Sequence, residues 1–103
     1  MGLQIATGSY VGNGTDARRI VTGLSGNVRA VWVVSGTHII GSQTENGIWW
    51  SNMMAGECLC IDVGLQTSSG LRPNGADFEV DTASPQKDLN GGGVDYYWIA
   101  LAW

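Results

Sequence analysis

At 103 residues, 44% of them apolar and only 14% charged, the chain is long enough for a single domain (residues 1–103) and too apolar for a disordered one. A net charge of −4, from nine acids and five bases whose one adjacent pair is Arg18-Arg19, argues against nucleic acid as a partner, because neutralising phosphates takes a basic patch. No run approaches the ~18 apolar residues of a membrane span, and no basic-then-apolar leader opens the sequence. The expectation is synthesis in the cytoplasm without a signal peptide and without a membrane partner.

Sixteen glycines and no periodic Leu/Ala/Glu/Lys run point to strands and turns. Leu3 to Val11 alternates as a first strand, and Gly12-Asn13-Gly14-Thr15-Asp16 ends it with residues that tolerate positive φ. Arg18 to Thr22 reads as a short second strand. Val28 to Val34, rich in β-branched residues, is the best internal one. Thr37 to Ile40 continues it or turns back beside it. Gly47 to Met54 is a strand or a half-buried loop. Glu57 to Leu65 reads as one strand, with Cys58, Cys60 and Asp62 on one face and Leu59, Ile61 and Val63 on the other. Gln66 to Gly75 reads as loop, ending in the turn signal Pro73-Asn74-Gly75. Asp77 to Asp81 alternates strictly, Phe78 and Val80 in and three acids out, and Thr82 to Gly93 is a second polar loop.

The last ten residues constrain the fold most. Tyr96, Trp98, Ala100 and Ala102 fall on one face of a strand, and Tyr97, Ile99, Leu101 and Trp103 on the other. Both faces are apolar, so this strand belongs at the centre of a sheet, with partner surface closing over one side. Short strands at roughly ten-residue spacing give an all-β antiparallel sandwich, jelly-roll-like, of six to eight strands. Five Trp and few charges imply more apolar surface than one small domain hides. A homo-oligomer, most simply a homotrimer, is therefore expected, with Tyr96, Trp98, Leu101 and Trp103 at the subunit contact.

The chain offers little for catalysis. His38 is the sole histidine, with no Ser-His-Asp or Cys-His setting, and reads as a half-buried strand residue. Asp77, Glu79 and Asp81 spread along ~13 Å of strand and do not converge on one ion, so a solvated face is the simpler reading. Gly12-Asn13-Gly14 precedes no helix and is a turn rather than a phosphate cradle. Cys58 and Cys60 lie too close for an ordinary disulfide, have no further Cys or His pair for zinc, and read as buried thiols. No enzyme activity, metal or cofactor is expected. Trp49, Trp50 and Arg72 form the one candidate ligand or partner surface. Neighbouring Trp residues on a strand point to opposite sides, which favours one in the core and one in a protein contact over a sugar-stacking pair.

Gly8-Ser9-Tyr10-Val11-Gly12-Asn13-Gly14-Thr15-Asp16-Ala17-Arg18-Arg19-Ile20 and the following Val31-Trp32-Val33-Val34 resemble a module of tailed-bacteriophage virion proteins that opens G-x-Y-x-G-N-G-x-D-x-R-x-I. Ala76-Asp77-Phe78-Glu79-Val80 is similar to its D-G-F-x-V strand, and Tyr96 to Leu101 to its closing Y-x-W-x-A-F. Residues 37–72 lie outside the likeness. The resemblance implies a β-sandwich on a virion surface or tail fibre, similar in style to trimeric H-type lectins, and carries no catalytic residues. With no heptad run, collagen-like repeat or attachment arm in view, the expectation is a capsid decoration (cement) protein, made in the host cytoplasm and displayed on the capsid. Its partners would be itself and the major capsid protein. The alternative is a tail-fibre or surface module that binds a host glycan through Trp49, Trp50 and Arg72.

Overall fold

The described residues form nine strands: β1 (Gln4–Val11), β2 (Arg18–Ile20), β3 (Val28–Ser35), β4 (Asn46–Trp50), β5 (Cys58–Cys60), β6 (Gly64–Gln66), β7 (Leu71–Asn74), β8 (Asp77–Val80) and β9 (Asp95–Ala102). The computed structural model describes residues 2–36, 46–51, 58–60, 64–66, 70–82 and 89–103, and among these all regular structure is strand. A larger antiparallel sheet runs β1-β9-β3-β4-β5-β6 and a smaller one β2-β8-β7, which is the small all-β sandwich that the alternating pattern predicts.

The C-terminal strand is central. β1 pairs along its whole length, from Gln4↔Ala102 to Val11↔Asp95, and β3 pairs along its other edge. With a side-chain period of two, that register turns Tyr96, Trp98, Ala100 and Ala102 into the space between the sheets, where all four are buried. Tyr96 and Trp98, expected at a subunit contact, are core residues instead, and the opposite face of β9 carries Tyr97, Ile99 and Leu101. Trp98 meets Phe78 of the smaller sheet edge-on, with ring centroids 5.3 Å apart. Gly8 gives it room, since a Cβ there would lie 2.5 Å from the indole.

Tyr10 and Tyr96 face each other across β1 and β9, and their rings stack with centroids 5.1 Å apart. Their hydroxyls hold the segment that enters β9: Tyr10 donates to the Leu89 carbonyl at 2.6 Å, and Tyr96 accepts from the Gly91 amide at 2.9 Å. Leu89 and Asn90 are buried, so a stretch that reads as polar loop supplies two interior residues. The Asn90 amide group donates to Asn13 Oδ1 and to the Thr15 carbonyl, while its own oxygen accepts from the Asn13 backbone and from Arg18. Gly12 passes so close to this segment that a Cβ would stand 1.9 Å from the Gly91 oxygen.

Two further readings change. Leu71–Asn74 is strand rather than loop, paired with β8 through the two-residue turn Gly75-Ala76, with Gly75 at φ +61° as a hairpin of this kind demands. Pro73, which reads as part of a turn signal, fits in the strand because β7 is a sheet edge, where the missing N–H is tolerated. Glu57 to Leu65 is not one strand but holds β5 and most of β6, antiparallel with Leu59 opposite Leu65. Thr37 to Ile40, with His38, and Met53-Met54 lie outside the described residues, as do the side chains of Cys58 and Cys60.

The close approach at Gly12 gives the first test. Gly12→Ala drives a methyl into backbone and should destabilise by about 1–3 kcal/mol or more. Gly92→Ala, two residues from the buried Asn90, meets nothing within 4 Å and should be near neutral. Urea unfolding of the two variants beside the parent reads the difference. Equal stabilities would refute this account of the seam.

Candidate functional site

The pairing that buries one face of the larger sheet lays out the other in cross-strand rows. Ile5, Leu101, Ala30 and Trp50 line up across β1, β9, β3 and β4. Thr7, Ile99, Trp32 and Ile48 form the next row, and Ser9, Tyr97 and Val34 the third. Every residue in the first two rows but Thr7 is apolar. Trp32 is 49% exposed, Tyr97 51% and Trp50 42%. Two shallow hollows flank the Trp32–Ile99 ridge. One, of about 300 Å³, is lined by Trp32, Val34, Tyr97 and Ile99; the other, of about 230 Å³, by Ala30, Trp32, Ile48, Ile99 and Leu101. Neither has a charged side chain in its lining.

Among the described residues, charges stand only at the ends of this face. Asp95 stands one row beyond Tyr97, across from Val11. At the other end the Arg29 guanidinium lies 6.0 Å from the Trp103 ring centroid, and its Nε donates to the Trp103 carbonyl at 3.3 Å. The terminal indole is thereby held at the rim, half exposed.

The candidate ligand trio is not brought together. Trp49 sits opposite Val31 and turns into the core, 7% exposed, whereas Trp50 turns outward. Arg72 belongs to the smaller sheet, and all three of its nitrogens are engaged there. Its Nε reaches Glu79 at 2.9 Å, and its two terminal nitrogens reach the two Asp81 oxygens at 2.7 and 3.1 Å. A sugar surface of Trp49, Trp50 and Arg72 therefore has no common face. Missing from that trio were Trp32, Tyr97 and Ile99; the available signal was the i, i+2 apolar pattern on both faces of β3 and β9.

The acids of β8 also differ from the solvated row expected. Asp77 is buried and accepts from the Thr22 amide at 3.0 Å and from Arg19 Nε at 2.6 Å. The Thr22 amide, then Arg19, hold its carboxyl below the usual range against the opposing effect of burial. Asp81 is held low in the same way, first by Arg72 and also by the Ala17 amide at 2.6 Å. Asn74 donates to Glu79 at 2.7 Å. Each carboxylate is thus engaged within the smaller sheet, and among the described residues no three His, Cys, Asp or Glu cluster as metal ligands. Asn13 and Gly14 (φ +73°), read as a turn, and Arg18, read as the start of the second strand, serve the Asn90 seam: Arg18 donates to the Val11 carbonyl at 2.6 Å and lies over the Tyr10 ring.

No protein-family model, curated protein or solved structure matches the chain. The surface chemistry is thus the ground on which its function has to be argued.

The two depressed carboxyls predict acid sensitivity. Because their folded values lie below the unfolded ones, the stability they contribute is full above the ordinary carboxylate range and is lost as pH falls through the folded values. Thermal midpoints should be level from about pH 7 to 5 and fall below about pH 4. Asp77→Ala strands the Thr22 amide and should cost about 1–3 kcal/mol at neutral pH while flattening the acid limb. An Asp77→Ala protein whose midpoint falls as steeply as the parent's in acid would contradict this assignment.

Proposed function

We propose that the chain is a structural protein of a tailed-bacteriophage virion, a decoration protein that sits on the capsid shell as an oligomer and works by protein contact rather than by catalysis. The observation that carries this is the continuous uncharged apolar face of β1, β9, β3 and β4. Single soluble domains seldom leave such a face in water, and one that does is usually seated on protein. Each 100 Å² covered contributes roughly 2.5 kcal/mol before the cost of association. The resemblance of Gly8 to Ile20 and Tyr96 to Leu101 to phage virion modules supplies the setting. Glycan recognition has less support, since the hollows offer a sugar little beyond the Tyr97 hydroxyl and the Trp32 indole N–H and Arg72 is already paired.

A decoration protein of this composition holds its shell through broad, mostly neutral contacts. Affinity for one shell subunit is then modest, and a trimer raises it by presenting three copies of each contact at once. Charge screening has little to act on.

Two measurements on purified particles test the reading. Quantitative mass spectrometry should count this chain in hundreds of copies per particle on the order of the shell subunits; a handful would point to a tail tip. Washing particles at rising salt should leave it bound beyond about 0.5 M, where exposed charge pairs are screened. Full release below that would mean that ion pairs hold it and that this mode of attachment is wrong.

A further inference from the structure

We propose that the outer face of the larger sheet is where copies of this chain meet, with a second copy as its occupant and Trp32 at the centre of the contact. The inference rests on the oligomer part of the reading above and is independent of the virion part.

Area comes first. Trp32, Trp50, Tyr97 and Trp103 are each about half exposed, with Ile5 and Ile99 exposed among them. A half-exposed aromatic offers roughly 100 Å², and with the aliphatic neighbours the face presents about 700 Å² in all. That is close to the ~800 Å² that each partner buries in a stable interface of ordinary size. A contact of this area needs the whole face, which a small ligand in one hollow would leave mostly wet.

Charge narrows the occupant. The chain carries −4, so two copies repel wherever acids face acids. Among the described residues of this face no acid stands between Asp95 at one end and Arg29 at the other, so copies approach here without desolvating a charge in the middle of the contact. Shape agrees. The Trp32–Ile99 ridge has a hollow on each side, so a ridge from a second copy can lie in one hollow while its own hollow receives this one. A face that supplies both ridge and groove can meet a second copy across a two-fold axis or, with ridge and groove offered in turn, around a closed ring of three.

Light scattering on the purified full chain between about 10 and 100 µM decides it. The parent should show a mass that is a multiple of 10.9 kDa. Trp32→Lys and Tyr97→Lys each place a charge in the contact and should raise the concentration needed for association by about 100-fold or more. Both side chains are exposed in the single chain, so the variants should keep the parent's circular dichroism. Val21→Lys, exposed but on the segment after β2, should leave the mass unchanged. A single-chain mass for the parent at 100 µM overturns the proposal, even if the chain then binds shells, and in that case the virion reading survives it. An oligomer that both lysine variants leave intact overturns the choice of face alone. A two-chain mass abolished by Trp32→Lys supports the face and overturns the three-copy stoichiometry.

Discussion

Between the two sheets the indole of Trp98 meets Phe78 edge-on, while the bare backbone of Gly8 lies against it from the neighbouring strand. This contact sets which face of β9 is inside. A slip of one residue in the pairing of β9 would bring Tyr97 or Ile99 against Phe78 and push Trp98 into water. It would also bring Thr7 or Ser9, in place of Gly8, opposite the indole, and neither leaves the same space. The arrangement has a cost, because the Trp98 Nε1 is buried with no hydrogen-bond partner among the described residues. Everything on the outer face, from Trp32 to Trp50, takes its position from that inner register.

The seam beside it closes the sandwich with polar groups rather than apolar ones. Asn90 is fully buried, and its amide is satisfied on both sides by Asn13, Thr15 and Arg18. A buried amide so fully paired specifies one geometry, since any other leaves donors stranded. Gly12, Asn13, Gly14 and Arg18, close together in the sequence, are therefore framework. The surface proposed to act lies on the opposite side of the larger sheet and shares none of these residues.

The few charges are divided unevenly. Arg19 with Asp77, and Arg72 with Glu79 and Asp81, are gathered on the smaller sheet and its flanks. Among the described residues, the outer face of β1, β9, β3 and β4 keeps Arg29 and Asp95 at its ends and nothing charged between. The described charges thus lie mostly on one side of the molecule and exposed apolar side chains on the other, the asymmetry on which the proposed contact rests.

Alternation alone determined the central strand, its two apolar faces, the Phe78/Val80 inward pair and the all-β class, because a period of two is a property of the backbone and needs no partner to be read. It could not say which apolar face of β9 looks inward, since Tyr96/Trp98 and Tyr97/Trp103 are equally apolar; Gly8 and Phe78, 90 and 20 residues away from Trp98, decide that. Trp49 and Trp50 were separable in principle and assignable to inside and outside only once β3 lay beside them. β7 was hidden by Pro73, which is harmless at an edge but would exclude a central strand, and edge or centre is a property of the sheet. The acids of β8 looked like a solvated row because their partners, Thr22, Arg19, Arg72 and Ala17, sit on other strands or turns. Composition gave notice of excess apolar surface; tertiary pairing alone gathered it onto one side of one sheet.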